Sequence, residues 1–262
     1  MSAEGAEVSF RRPQHRLRTE TSLAGIELGT VGVKPQGGVF VPAKFLVSRS
    51  DATIEAGYFQ PQFGLFRDEG GFLARLLTQL SPHGLKLSDV KIERGNGTLS
   101  DLHLLCYLFE YLLTIRVRVD RVEIYCSHLT EDNKKAVTAA SLDTLTCIRE
   151  HIGREYRAYA LSMNIHGPLE GLPARTLLAR LVTTPPADIG LVTGNAVAYY
   201  LGALEERIAG SLTLDVSAIA PDGLFARPQA TWDASRMPLE QFAERAETFV
   251  RRTLASFGIE IP

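Results

Sequence analysis

The sequence predicts an α+β protein in which a strand–helix–antiparallel strands–helix unit occurs twice in tandem, both units sharing one long sheet with helices on one face. Three observations point there. Apolar residues alternate with a period of two in some runs and recur at helical spacing in others. Turn signals, rather than helical crossovers, separate the strand runs, which favours antiparallel pairing over a parallel sheet. The order of runs in residues 51–153 is met again in residues 154–262.

Residues 1–20 are polar and carry Arg11, Arg12, Arg16 and Arg18, which predicts a flexible basic leader. Residues 21–50 hold glycines and short β-branched runs, which predict short strands and turns packing on the core. In the first unit "DATIEAGYF" alternates as a strand. "EGGFLARLLTQL" places Phe72, Leu73, Leu76, Leu77 and Leu80 on one helical face. "LKLSDVKIE" alternates with a slip near Asp89, and "GNGT" at 95–98 is a hairpin signal because Asn and Gly tolerate positive φ. Strands over 99–111 and 114–128 come next, then a helix over 132–152 closed by Gly153.

The second unit repeats the order. "YRAYALSMNI" reads as a strand, and "LPARTLLARLV" as a helix with proline at its first turn. "IGLVTGNAVAYYLGAL" and "RIAGSLTLDVSAIA" read as strands, and "MPLEQFAERAETFVRRTLASFG" as a closing helix. Set against each other, the units put Val117 on Leu212, Val119 on Leu214 and Asp120 on Asp215. "PDGLFARPQATWD" then reads as a longer strand-to-helix connection in the second unit, with Trp232 capping the core from a loop. The element order is similar to the duplicated saddle of the TATA-binding-protein fold. That likeness is one of order alone and brings no motif, so it implies a fold and no function.

Composition narrows the function classes. The chain is 45% apolar and 22% charged over 262 residues, enough to bury a core unaided. Its formal charge of −2 argues against a nucleic-acid partner, which calls for a basic excess or face. Cys106, Cys126 and Cys147 form no metal-ligand spacing and read as small buried hydrophobes. The absence of a secretory h-region, of a long apolar span and of a disulfide framework together predict a cytoplasmic protein that meets no membrane. For the same reason, the "NGT" sequon at 96–98 would never meet the glycosylation machinery.

Two surfaces invite a functional reading. Arg116, Arg118 and Arg121 stand on one side of an apolar run, with Glu123 and Tyr125 beside them. That comb could contact anions, but interleaved acids and a neutral counterpart (Ser211, Thr213, Asp215) describe the wet side of a strand. A one-residue phase slip between Val119 and Val122 predicts a β-bulge near Asp120. "DLHLLCYLFEYLL" is apolar on both sides and must be covered on both. Its Tyr107, Phe109 and Tyr111, with Tyr199 and Tyr200 of "AVAYYLGAL" and Trp232, are the candidate interaction or ligand surface.

Catalytic chemistry is not signalled. There is no phosphate loop, dinucleotide fingerprint, zinc-protease helix or nucleophile elbow. The six histidines are scattered. His128 and His166 end strands, and Asp120 and Asp215 occupy matched positions, but no nucleophile accompanies them. No cofactor or metal is expected. The sequence therefore predicts a non-catalytic protein that assembles with itself or another protein through its apolar strands. The alternative is a carrier or sensor with an apolar pocket near Tyr107, Tyr111 and Tyr199.

Overall fold

The computed structural model describes residues 42–67, 71–94, 102–182, 196–203 and 207–261. The basic leader, most of the glycine-rich segment, the "GNGT" turn and the start of "IGLVTGNAVAYYLGAL" lie outside the described residues. The chain enters through β1 (Ala43–Lys44) and β2 (Arg49–Gly57), then α1 (Gly71–Leu80) and β3 (Val90–Arg94). β4 (Leu102–Leu108), β5 (Leu113–Arg118) and β6 (Arg121–Cys126) lead into α2 (Glu131–Ile152). β7 (Ala158–Gly167), α3 (Ala174–Leu181), β8 (Val197–Leu201), β9 (Arg207–Val216) and β10 (Leu224–Asp233) follow, then α4 (Leu239–Ala255) and β11 (Ile259–Glu260).

Nine strands form one antiparallel sheet in the order β3-β4-β5-β6-β2-β7-β10-β9-β8, while β1 and β11 pair in parallel apart from it. The fold class is the α+β one read from the sequence, with helices packed on a largely antiparallel sheet. Outward from the central β2–β7 pair, both sides run through the last, middle and earlier strands of their half. This is matched topology; repetition of sequence is a separate matter that strand order does not carry.

Two elements differ from expectation. The run 114–128 is not one bulged strand but the hairpin of β5 and β6, turning at Val119–Asp120 with Val117 opposite Val122. A two-residue turn and a bulge leave the same one-residue phase slip. Val-Asp lacks the Asn-Gly or Asp-Gly signature that would have distinguished them. Likewise "PDGLFARPQATWD" is not a connection: it contains the ten-residue β10, which pairs with both β7 and β9. Pro228 masked that strand, since proline argues against a paired interior position. Smaller shifts occur too. The slip near Asp89 is a 3₁₀ turn over Leu87–Asp89, and β4 ends at Leu108, not at 111.

Pleating assigns the faces. Directly opposed residues of antiparallel strands share a side, so one face collects Ala52, Ile54, Leu104, Cys106, Ile115, Val117, Ile124, Leu161, Ile165, Leu214 and Trp232. Most of these are buried. The helices lie against that face. α2 is capped by Thr130 and Asn133, whose side chains each accept from the other's backbone N–H, and it ends on Gly153 at φ 68°. α2 and α4 run antiparallel, joined near one end by Lys134–Glu247 at 2.7 Å and near the other by Arg149–Glu240 at 3.1 Å. α1 packs beside α2, with Phe72 against His151 at 5.1 Å.

One end of this layer is filled by aromatic rings. Tyr58, Tyr156, Tyr159 and Phe242 follow one another at centroid spacings of 5.8, 5.7 and 5.1 Å. Trp232 meets Phe242 and Phe249 edge-on at 5.7 Å each. Edge-on contact of this kind adds to the area such rings bury. Trp232 is thus a core residue on a strand rather than a loop cap. Trp232→Ala is expected to cost about 3–5 kcal/mol, the range for deleting a large aromatic from a packed core, as read by urea unfolding at unchanged m-value.

Candidate functional site

Farther along the same face, from Leu161 toward Ile165, the filling changes. The inner sides of the helices here carry Thr138, Ser141, Ala243 and Ala246, opposite Ala52 and Cys126 on the sheet. Short side chains on both walls cannot meet across the roughly 10 Å separation of packed layers. A cavity of about 870 Å³ results, lined by these residues and by Ile54, Leu142, Leu145, Leu161, Met163 and Val250. The burial pattern agrees. Ile54 and Met163 sit on the helix-facing side of the two central strands, where burial should be complete, yet both are only half-buried.

The Ser141 hydroxyl of this wall donates to the Val137 carbonyl at 2.7 Å, within α2. The lining is mostly apolar, and the charged groups of the cavity lie at its mouth. There Lys134 of α2 donates to Glu247 of α4 at 2.7 Å, and Arg251 donates to the same carboxylate at 3.1 Å. The Lys134 hydrogen bond, with help from Arg251, holds the Glu247 carboxyl below its ordinary range. The link between the helices therefore persists above that range and is lost only as pH falls through it. Arg49 and His128 stand on the other side of the mouth. Asp51, nearly buried, accepts from Arg49 Nε at 3.2 Å and from the His128 backbone N–H at 2.9 Å. His128 holds φ at 59° to make that turn.

The sequence-derived candidates lie elsewhere. Tyr107 and Tyr111 meet at a tilt, ring centroids 5.0 Å apart, on the sheet face away from the helices, with Lys91 5.3 Å above the Tyr107 ring. Phe109, Glu110 and Tyr111 all have positive φ in the β4–β5 turn, which leaves Tyr111 67% exposed. Tyr199 is on the helix side of edge strand β8, 4.6 Å from Phe257, while its neighbour Tyr200 faces the opposite way and is 89% exposed. The structure does not bring Tyr107, Tyr111 and Tyr199 together around one pocket.

The arginine comb is answered by carboxylates. Arg121 lies 2.6 Å from both Asp120 and Glu123, and Arg116 lies 3.2 Å from Glu123. Arg118 lies 3.5 Å from Asp120 and 3.8 Å from Glu123. All three cations have acidic neighbours in place, so this is the charged outer face of a hairpin; an incoming phosphate would have to displace them.

Asp120 and Asp215 do not meet either. Asp120 turns beside the Gly57–Ala158 end of the sheet, whereas Asp215 is in register with Phe225 and His166 at the other end. Eight residues of β7 separate the two levels, about 26 Å at the rise of a strand. His166 is 3.0 Å from the Ser217 hydroxyl, which also accepts the backbone N–H groups of Ile219 and Ala220. That hydroxyl is the hub of a turn, and burial lowers the His166 pKa. Burial also pushes the Cys106 thiol up to about 12 and those of Cys126 and Cys147 up to about 11, which makes them inert packing groups.

Among the described residues no cluster of three His, Cys, Asp or Glu side chains could hold a metal ion, and no helix is long and apolar enough to cross a membrane. The chain matches no protein-family model and no curated protein.

The cavity was missed because its signal is one of deficit. The inner face of "AVTAASLDTLTC" is helical but poor in bulk, and a pattern of apolar positions does not report volume. Ala246→Leu tests the void directly. Adding bulk to a filled core costs about 1–3 kcal/mol; here the melting temperature is expected to hold or rise.

Proposed function

We propose that this protein is a non-catalytic binding protein whose cavity beneath α2 and α4 takes an apolar small molecule. The observation that carries this reading is the half-burial of Ile54 and Met163 at the centre of a helix-covered sheet, facing an open-mouthed cavity of about 870 Å³ with mostly apolar inner walls. That volume falls in the range of pockets that enclose drug-sized ligands, about 300–1,000 Å³. It also far exceeds the roughly 150 Å³ that suffices for benzene. The charged groups sit at the rim and the inner walls are mostly apolar, which suits a carrier or sensor better than an enzyme.

Assembly through the sheet is the second reading, favoured by a different observation. Both edge strands expose a large apolar side chain, Ile92 at 63% on β3 and Tyr200 at 89% on β8. Unpaired edges are ready templates for another chain. The two readings are compatible, since the cavity and the edges are separate places.

Native mass spectrometry of the purified full chain at low micromolar concentration distinguishes them, followed by organic extraction of the same sample. The cavity reading expects a stoichiometric added mass, or its uptake from a panel of apolar compounds, abolished by Ala243→Trp in a folded variant. An oligomer that neither carries nor takes up any small molecule would overturn it and leave assembly as the function.

A further inference from the structure

The mouth of the cavity shows what kind of head group its ligand carries. Resting on the cavity reading above, we infer that the ligand is a long-chain carboxylate, its chain under α2 and α4 and its anionic end held by Lys134, Lys135 and Arg251.

Three features support this choice. First, the mouth already holds a carboxylate at one defined place. Glu247 sits between two cations on different helices, Lys134 of α2 at 2.7 Å and Arg251 of α4 at 3.1 Å. A guanidinium and an ammonium converging on one oxygen form a charge-assisted anion site, stronger than neutral hydrogen bonding. Second, Lys135 follows Lys134 at the rim and, among the described residues, is engaged by no acid, so the head group meets one cation that Glu247 does not hold. Third, the opposing acids are poorly placed to receive a cationic head. Glu131 is 78% exposed and reaches Lys134 only at 3.9 Å, while Glu244 is exposed at the rim. Glu247 itself is committed to two cations.

The geometry also sets the sign of an unusual effect. Glu247 occupies part of the position that the ligand's carboxylate would take, so the two compete for Lys134 and Arg251. Removing its charge should tighten carboxylate binding, whereas a merely structural ion pair would predict weaker binding or none. Neutralising the lysines should act the other way and only on charged ligands.

The test uses dodecanoate, dodecan-1-ol and dodecylamine, compounds with the same chain and different ends, each displacing a polarity-sensitive naphthalene dye from the full chain. Dodecanoate is expected to displace the dye at a concentration about tenfold or more below dodecan-1-ol, the scale of one charge-assisted hydrogen bond. Glu247→Gln is expected to tighten dodecanoate several-fold and leave dodecan-1-ol unchanged. Lys134→Met with Lys135→Met is expected to make the two equal, with unchanged far-UV dichroism reporting intact folding. Equal displacement by acid and alcohol in the unmodified protein, or preference for the amine, would overturn the head-group assignment while leaving the cavity reading in place. Failure of all three compounds, and of the dye itself, to bind would defeat the cavity reading and this inference together. Loss of dodecanoate binding in a folded Glu247→Gln variant would overturn the competition between Glu247 and the ligand.

Discussion

The constraint on which the rest depends is that α2 and α4 must cover the middle of a nine-stranded sheet with inner faces too small to fill the space. At one end the difficulty does not arise, because Tyr156, Tyr159, Phe242 and Trp232 supply bulk from both layers. Toward Ile165 alanines, a serine, a threonine and a cysteine stand among Leu142, Met163 and Val250 and leave the space unfilled. Close packing is the rule in protein interiors, and a void of this size forfeits contacts on every side of its lining. The Lys134–Glu247 and Arg149–Glu240 pairs hold the helices to each other, but neither places side chains between the helices and the sheet. The helix pair is thus seated firmly at its aromatic end and bridges an apolar gap at the other.

The outer face of the sheet behaves differently. Arg116, Arg118 and Arg121 interlock with Asp120 and Glu123 across the β5–β6 hairpin, so the charge there is largely spent internally. Exposed pairs of this kind contribute little stability each, about 0–1 kcal/mol. Their consequence is a hydrated outer face on which the three arginines are answered by Asp120, Glu123 and Glu55. Ile92 and Tyr200 are exposed on the edge strands, and Phe59, Leu87 and Tyr111 are exposed away from them.

Much of the architecture was legible in the sequence, for reasons of periodicity. Phe72, Leu76 and Leu80 announced α1, and Gly153 marked the end of α2. The alternation of Val122, Ile124 and Cys126 assigned the buried side of β6 correctly. Where the sequence misled, one local signal had two physical sources. A phase slip at Val119–Asp120 fits a bulge or a turn, and Pro228 disguised a paired strand. The site was less legible still. Tyrosines drew attention because they are large and amphipathic, and the structure scatters them over two faces and both edges. The cavity arises from what Ala243, Ala246 and Ser141 lack, and missing volume becomes visible only when the two layers are set against each other.

The most direct test of the cavity is a crystal structure determined under xenon pressure, since an apolar void admits xenon whereas a packed or water-filled space does not. The account predicts xenon seated against Ile54, Leu142 and Met163 beneath α2 and α4. Helices collapsed onto the sheet with Leu142 packed on Ile54 and no xenon between them would contradict it.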